Sequence, residues 1–210
     1  MIPLDLDQVQ RPNAPTKLAH VVFKTPRINE MIDWYTTVLD AVVVFADRRI
    51  AFLTYDQEHH RIAMIKVPKL LRIPGAVWKM HRKFFGVDHV AFTYGRLPDL
   101  IAAHRRLADA GIEPVWCINH GPTTSMYYED PDGNRIELQV DNFATNGELM
   151  DWLAGGEFDK NPIGVEFDPV VLEGLAAAGT PLEDLIKRGS APPPGRSARS
   201  GLRTLRWKTL

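Results

Sequence analysis

Among seven histidines, two fall at the same place in two stretches that lie over one another without a gap. LAHVVFKTPRINEMIDWYTTVLDAVVV (18–44) matches VDHVAFTYGRLPDLIAAHRRLADAGIEPV (87–115): His20 meets His89, Phe23 meets Phe92, Arg27 meets Arg96 and Ile32 meets Ile101, all at an offset of 69 (89 − 20 = 69; 96 − 27 = 69). A histidine taken alone is more often a packed or solvated residue than a ligand. A duplicated pair is different, because a twofold arrangement of the copies brings equivalent positions face to face. Glu137, late in the second copy, adds a carboxylate that needs a partner. Two neutral imidazoles and one carboxylate form the facial set that leaves open positions on non-haem Fe(II), and a mixed N/O set of this kind also suits Mn(II).

The elements that must position these groups read alike in both copies. Each begins as a short strand around its histidine and passes a turn (Thr25-Pro26; Gly95) into helical spacing, with Met31, Trp34, Tyr35 and Val38 in one and Leu100, Ala103 and Leu107 in the other. Strand-like segments follow at 41–45, 50–55 and 61–67, and again at 112–118, 125–129 and 135–140. The order β-α-β-β-β written twice gives an α+β fold whose paired sheets curve into one cup. Alternation along strands places His20 with Val22, His89 with Ala91, and Glu137 with Arg135 and Gln139. The copies also end alike, HRIAMI (60–65) over NRIELQ (134–139), which sets Ala63 opposite Glu137. Asp130-Pro131-Asp132-Gly133-Asn134 reads as the turn into the Glu137 strand.

The domain reading is therefore 1–140 for the paired modules (17–67 and 87–140, with a linker at 68–86), 141–186 for an accessory helical extension and 187–210 for a tail. In the linker, Leu70, Leu71, Ile73, Val77, Trp78 and Phe84 with interleaved basic residues suggest an amphipathic helix that packs on, or roofs, an apolar pocket. Helices are expected at 147–154 and 169–178, the second capped by Asp168 with Pro169 in its first turn. The tail holds Lys187, Arg188, Arg196, Arg199, Arg203, Arg206 and Lys208 with no acid; its composition suits mobility or a neighbouring subunit of a homo-oligomer.

Composition narrows the function classes. With 210 residues, 45% of them hydrophobic, the chain can bury a sizeable core, and a net charge of −1 gives no global field for nucleic acid. No run approaches the ~20 apolar residues of a membrane span, and the acidic, proline-bearing start lacks a secretory pattern, so the expectation is a cytoplasmic protein. Cys117 stands alone, which leaves neither an internal disulfide nor a multi-cysteine metal site, and reads as a small buried hydrophobe.

Paired βαβββ modules with a histidine on the first strand of each and a glutamate on the last resemble the vicinal oxygen chelate superfamily. Tyr127-Tyr128-Glu129-Asp130-Pro131-Asp132-Gly133-Asn134-Arg135-Ile136-Glu137 resembles the signature of type I extradiol ring-cleavage dioxygenases, and the likeness, which covers 17–140, is to the small one-domain enzymes. The resemblance implies that His20, His89 and Glu137 hold Fe(II), and that a catechol such as 2,3-dihydroxybiphenyl is opened by O2 to a muconic semialdehyde-type product, a reaction of aromatic hydrocarbon catabolism. It further implies that His60 is an acid–base group, and that His120 and Tyr127 hydrogen-bond the substrate oxygens. The separation of His120 from Tyr127 is shorter than in two-domain relatives. His59 reads as solvated or structural; His81 and His104 read as helix or linker surface.

Two other functions fit the same scaffold: a glyoxalase-like metal-dependent isomerase or thiol transferase, and a non-enzymatic small-ligand binding protein. The resemblance implies a fourth protein ligand at the Ala63 position in the first, and apolar residues in place of the ligands in antibiotic-binding members of the second. Alanine at 63 and three intact ligands favour the dioxygenase.

Overall fold

The computed structural model describes Val9, 13–68 and 86–195; His81, the apolar linker residues named above and the tail from Arg196 lie outside the described residues. In the first module, β1 (Val21–Thr25), α1 (Ile28–Leu39), β2 (Val42–Ala46), β3 (Ile50–Thr54) and β4 (Ile62–Lys66) give a sheet of order β1-β4-β3-β2. The second repeats the pattern with β5 (His89–Tyr94), α2 (Leu97–Asp109), β6 (Trp116–Asn119), β7 (Thr123–Glu129) and β8 (Arg135–Asp141), ordered β5-β8-β7-β6 and extended by β9 (Val165–Glu166). In both, the first and last strands run parallel and the remaining neighbours antiparallel. Parallel neighbours cannot be joined by a hairpin, so the helix and two further strands intervene before β4 or β8 returns beside β1 or β5.

Local chemistry explains the boundaries. Thr25 Oγ1 accepts the Arg27 amide at 3.0 Å just ahead of α1. α1 buries Ile28, Met31, Tyr35 and Val38 at three- and four-residue spacing and ends at Asp40, whose φ of 51° is a left-handed value an aspartate tolerates. α2 buries Leu97, Leu100, Ile101, His104 and Leu107 on one stripe. This corrects the expectation of a surface His104: it is only 5% exposed. The β6 strand also starts later than the 112–118 segment suggested, at Trp116.

The two modules are bonded as well as packed. The Tyr35 hydroxyl donates to Asp130 Oδ2 at 3.1 Å, Arg27 Nε meets Asp132 Oδ1 at 3.1 Å, and the Arg106 guanidinium donates to the Thr37 and Val38 carbonyls at the end of α1. Asp130 also accepts the amides of Asp132 and Asn134 at 2.9 and 2.7 Å, and Gly133 at φ 80° lets the chain turn back. That buried turn fixes where β8, and with it Glu137, begins.

The extension continues with α3 (Asn146–Ala154), α4 (Glu157–Lys160), β9, α5 (Pro169–Ala177) and α6 (Leu182–Leu185). Asp168 Oδ1 accepts the Val170 and Val171 amides at 2.8 and 3.3 Å, capping α5 with Pro169 in its first turn. Among the described residues no helix is long and apolar enough to cross a membrane.

Candidate active site

Glu137 sits mid-strand on β8 between Ala91 of β5 and Tyr127 of β7. It is 4% exposed. Burial works to raise its carboxyl, and hydrogen bonds from His89, Ser125 and Tyr127 outweigh that cost, holding it below the ordinary carboxylate value. His89, which opens β5, places Nε2 at 2.9 Å from Glu137 Oε2 and Nδ1 at 2.8 Å from Asp88 Oδ2. The bond to Glu137 is the main reason its imidazole is pushed up to about 8, against the opposing effect of burial. A carboxylate on Nδ1 selects the tautomer that leaves Nε2 as a lone-pair donor once the ring is neutral, the usual orientation of a histidine ligand.

Tyr127 and His120 extend this cluster. The His120 Nδ1–H donates to the Ile163 carbonyl, which leaves Nε2 as the acceptor in the neutral ring; it lies 3.0 Å from the Tyr127 hydroxyl. Tyr127 therefore has His120 on one side and Glu137 on the other. Burial, reinforced by the Glu137 charge, pushes the phenol up, so it stays protonated. Burial lowers the His120 imidazole in spite of the Ile163 carbonyl. Trp116 packs over both, its ring 5.1 Å from Tyr127 and 5.8 Å from His120.

In the first module, His20 immediately precedes β1 and His60 lies two residues before β4. Their ring centroids are 4.4 Å apart, and His60 is stacked on Phe52 at 4.6 Å. Burial, with His20 and His59 nearby, lowers the His60 imidazole. The His59 ring is largely exposed, and its Nδ1 meets His60 Nδ1 at 2.6 Å. Ala63, buried on β4 between Val22 of β1 and Phe52 of β3, offers no donor atom.

The structure thus brings together His89, Glu137, Tyr127 and His120 in one module, and His20 and His60 in the other. Among the described residues no three His, Cys, Asp or Glu side chains gather closely enough to hold a metal ion, so His20 does not join the His89–Glu137 pair here. As chemistry the pair fits a divalent cation: an imidazole nitrogen and a carboxylate oxygen already in contact, with the far imidazole nitrogen held.

Four contributors were missed in the sequence. Ser125 shares the Tyr127 side of β7 by simple alternation, and Asp88 adjoins His89 in the chain, so both carried a local signal. The Ile163 carbonyl and Arg188 carried none. Arg188 donates to the His120 carbonyl and lies 4.9 Å over the Trp152 ring, so the extension read as accessory, through Ile163, and the start of the segment read as a tail, through Arg188, both help to hold His120.

Fold and cluster together define a paired-module protein with an imidazole–carboxylate centre. A family model matches residues 17–138, and the chain belongs to the Glyoxalase/Bleomycin resistance protein/Dioxygenase superfamily. It is 46% identical to biphenyl-2,3-diol 1,2-dioxygenase 2 of Rhodococcus globerulus over 172 residues, 81% of this chain and 86% of that one. Against biphenyl-2,3-diol 1,2-dioxygenase 3 of the same organism it is 42% identical over 175 residues, 83% and 90% of the two chains. Among solved structures, the fosfomycin resistance protein FosX from Mesorhizobium loti aligns with 65% of this chain and 99% of its own, at 20% identity and a TM-score of 0.46.

Proposed function

We propose that this chain is an extradiol ring-cleavage dioxygenase that opens a 2,3-dihydroxybiphenyl-like catechol with O2 and holds Fe(II) through His20, His89 and Glu137. The observation that carries the reading is 46% identity, across four-fifths of the chain, to a biphenyl-2,3-diol dioxygenase. The contact of His89 with Glu137 and the repeat equivalence of His20 and His89 support the ligand set. Fe(II), when bound, supplies a two-oxygen anchor for the catechol and a redox path between it and O2, which needs no external reductant because both oxygen atoms enter the product.

The remaining work falls to side chains. Tyr127 Oη, protonated and beside His120 Nε2, is placed to donate to a substrate oxygen. His120, kept neutral by burial, can accept the Tyr127 O–H at Nε2 while no substrate is bound, and has Nε2 free for a substrate proton once that O–H turns to a substrate oxygen. His60, also lowered, is neutral at pH 7 and available as the base for a phenolic proton. Trp116 packs its ring against both Tyr127 and His120. Ala63 contributes no fourth ligand, which disfavours the isomerase and thiol-transferase readings.

Protein reconstituted with Fe(II) under nitrogen and then given 2,3-dihydroxybiphenyl and air should consume one O2 per catechol and turn yellow as the semialdehyde-type product forms. Iron-loaded protein that stays colourless and consumes no O2 with 2,3-dihydroxybiphenyl, 3-methylcatechol and catechol would remove this reading.

A further inference from the structure

The residue after His60 is bonded to the chain on both sides of His20. Arg61 Nη1 donates to the Leu18 and Ala19 carbonyls at 2.8 and 3.1 Å, and the Arg61 carbonyl accepts the Val21 amide at 3.0 Å. His20 is the residue those three bonds enclose. Leu18 and Ala19 lie ahead of β1, outside its pairing with β4, and Arg61 reaches them with its side chain. The guanidinium is itself held. Its Nε lies 3.2 and 3.0 Å from the two Asp56 carboxylate oxygens and its Nη2 3.0 Å from Oδ2, while Asp56 Oδ1 also accepts the Glu58 amide at 3.0 Å. With Nε and Nη2 on one carboxylate, Nη1 is left for the carbonyls, a division that the planar guanidinium fork allows and an ammonium does not.

The second module treats its histidine differently. HRIAMI over NRIELQ puts Arg135 at the place of Arg61, and the common offset puts Asp88 at the place of Ala19 (88 − 19 = 69). Arg135 stands opposite His89 in the β5–β8 pairing. There the Asp88 carboxylate takes the His89 ring at Nδ1, 2.8 Å away, and lies 3.9 Å from Arg135 Nη1. Alanine at 19 offers no such carboxylate, and the arginine of the first module grips the main chain instead. Each histidine thus has a repeat-equivalent arginine beside it, one acting on the backbone and the other through a carboxylate on the ring.

We propose that Arg61 is a positioning residue for the metal centre: locked by Asp56, it fixes the main chain on either side of His20 and so sets where that imidazole is presented. This role rests on His20 being a ligand, as proposed above, and it carries a definite sign. By charge alone a guanidinium close to a dication repels it, so its removal would tighten metal binding. A residue that holds a ligand in place does the opposite when it is lost.

Co(II) titrated into the full-length protein and followed by its visible absorption reads metal affinity without turnover. Arg61→Gln should loosen Co(II) about ten- to hundredfold, the usual effect of losing a group that orients a ligand. The same substitution made in His20→Ala should change nothing further, because its effect runs through His20. Binding that is unchanged or tighter in Arg61→Gln, or an equal loss in both backgrounds, would overturn the assignment. Should Arg61→Gln not fold, Arg61→Lys, which keeps the charge and loses the fork, decides in the same way. If His20→Ala binds Co(II) as tightly as the parent, His20 is no ligand and the ligand set falls together with the role of Arg61. If His20→Ala loses Co(II) while the Arg61 variants keep it, only the role of Arg61 falls.

Discussion

Glu137 and His60 are both polar groups near reacting chemistry, yet they should fail differently when removed. Glu137 is buried and bonded to His89, whereas His60 stacks on Phe52 and has no contact with that pair. Glu137→Ala should abolish iron uptake, read by metal analysis of the purified protein. His60→Ala should keep its iron and lose on the order of 10²–10⁴ in kcat, the usual weight of a positioned acid–base group. Loss of iron with His60→Ala would make it a ligand. At His120 the sign of the pH effect follows from its lowered imidazole. Below the ordinary value of 6.5 the unfolded chain takes up a proton that the folded one resists, so stability is full above 6.5 and drains away as pH falls through the lower folded value. Denaturant unfolding between pH 7.5 and 5 should show a shallower acid loss in His120→Gln than in the parent, and equal slopes would mean that His120 does not titrate this way.

At the scale of elements, the chain leading into β9 and the segment around Arg188 matter because they hold His120, the first by its ring through the Ile163 carbonyl and the second by its carbonyl. Gly164 sits at φ 114° with no room for a side chain: a Cβ there would lie 2.3 Å from the Asn119 carbonyl oxygen. Gly164→Ala should therefore cost on the order of 2 kcal/mol and lower kcat without removing iron, which unfolding curves and single-turnover rates would show. The β-α-β-β-β order was legible because strand alternation and helical spacing are local properties, repeated at one offset. The burial of His104 is legible too: it lies four residues after Leu100 and three after Ile101, on the buried stripe of α2. The two-residue β9 and the Arg188 contact, made across 68 residues, leave no periodic trace, since tertiary packing alone creates them.

For the molecule as a whole, the modules are tied by the Tyr35–Asp130 bond and by Arg106 at the end of α1. Tyr35→Phe keeps the packing and removes one buried bond, so it should cost about 1 kcal/mol and lower the unfolding midpoint by roughly 2–4 °C. A larger loss accompanied by reduced iron content would mean that this tie also sets the spacing of the two half-sites. The duplication leads to the expectation that both modules serve one cation; the side chains show His89 in contact with Glu137 and His20 beside His60. Reading equivalence from a repeat identifies which residues correspond; the rotamer each adopts depends on packing that no repeat encodes.

Iron binding by His20, His89 and Glu137 depends on His20 joining a centre built by the other module. Anaerobic titration of Fe(II) into the parent and into His20→Ala, followed by gel filtration and iron determination, measures this directly. One tightly held iron per chain in the parent and a large loss of it in His20→Ala is the result predicted here. Full iron occupancy in His20→Ala would contradict it.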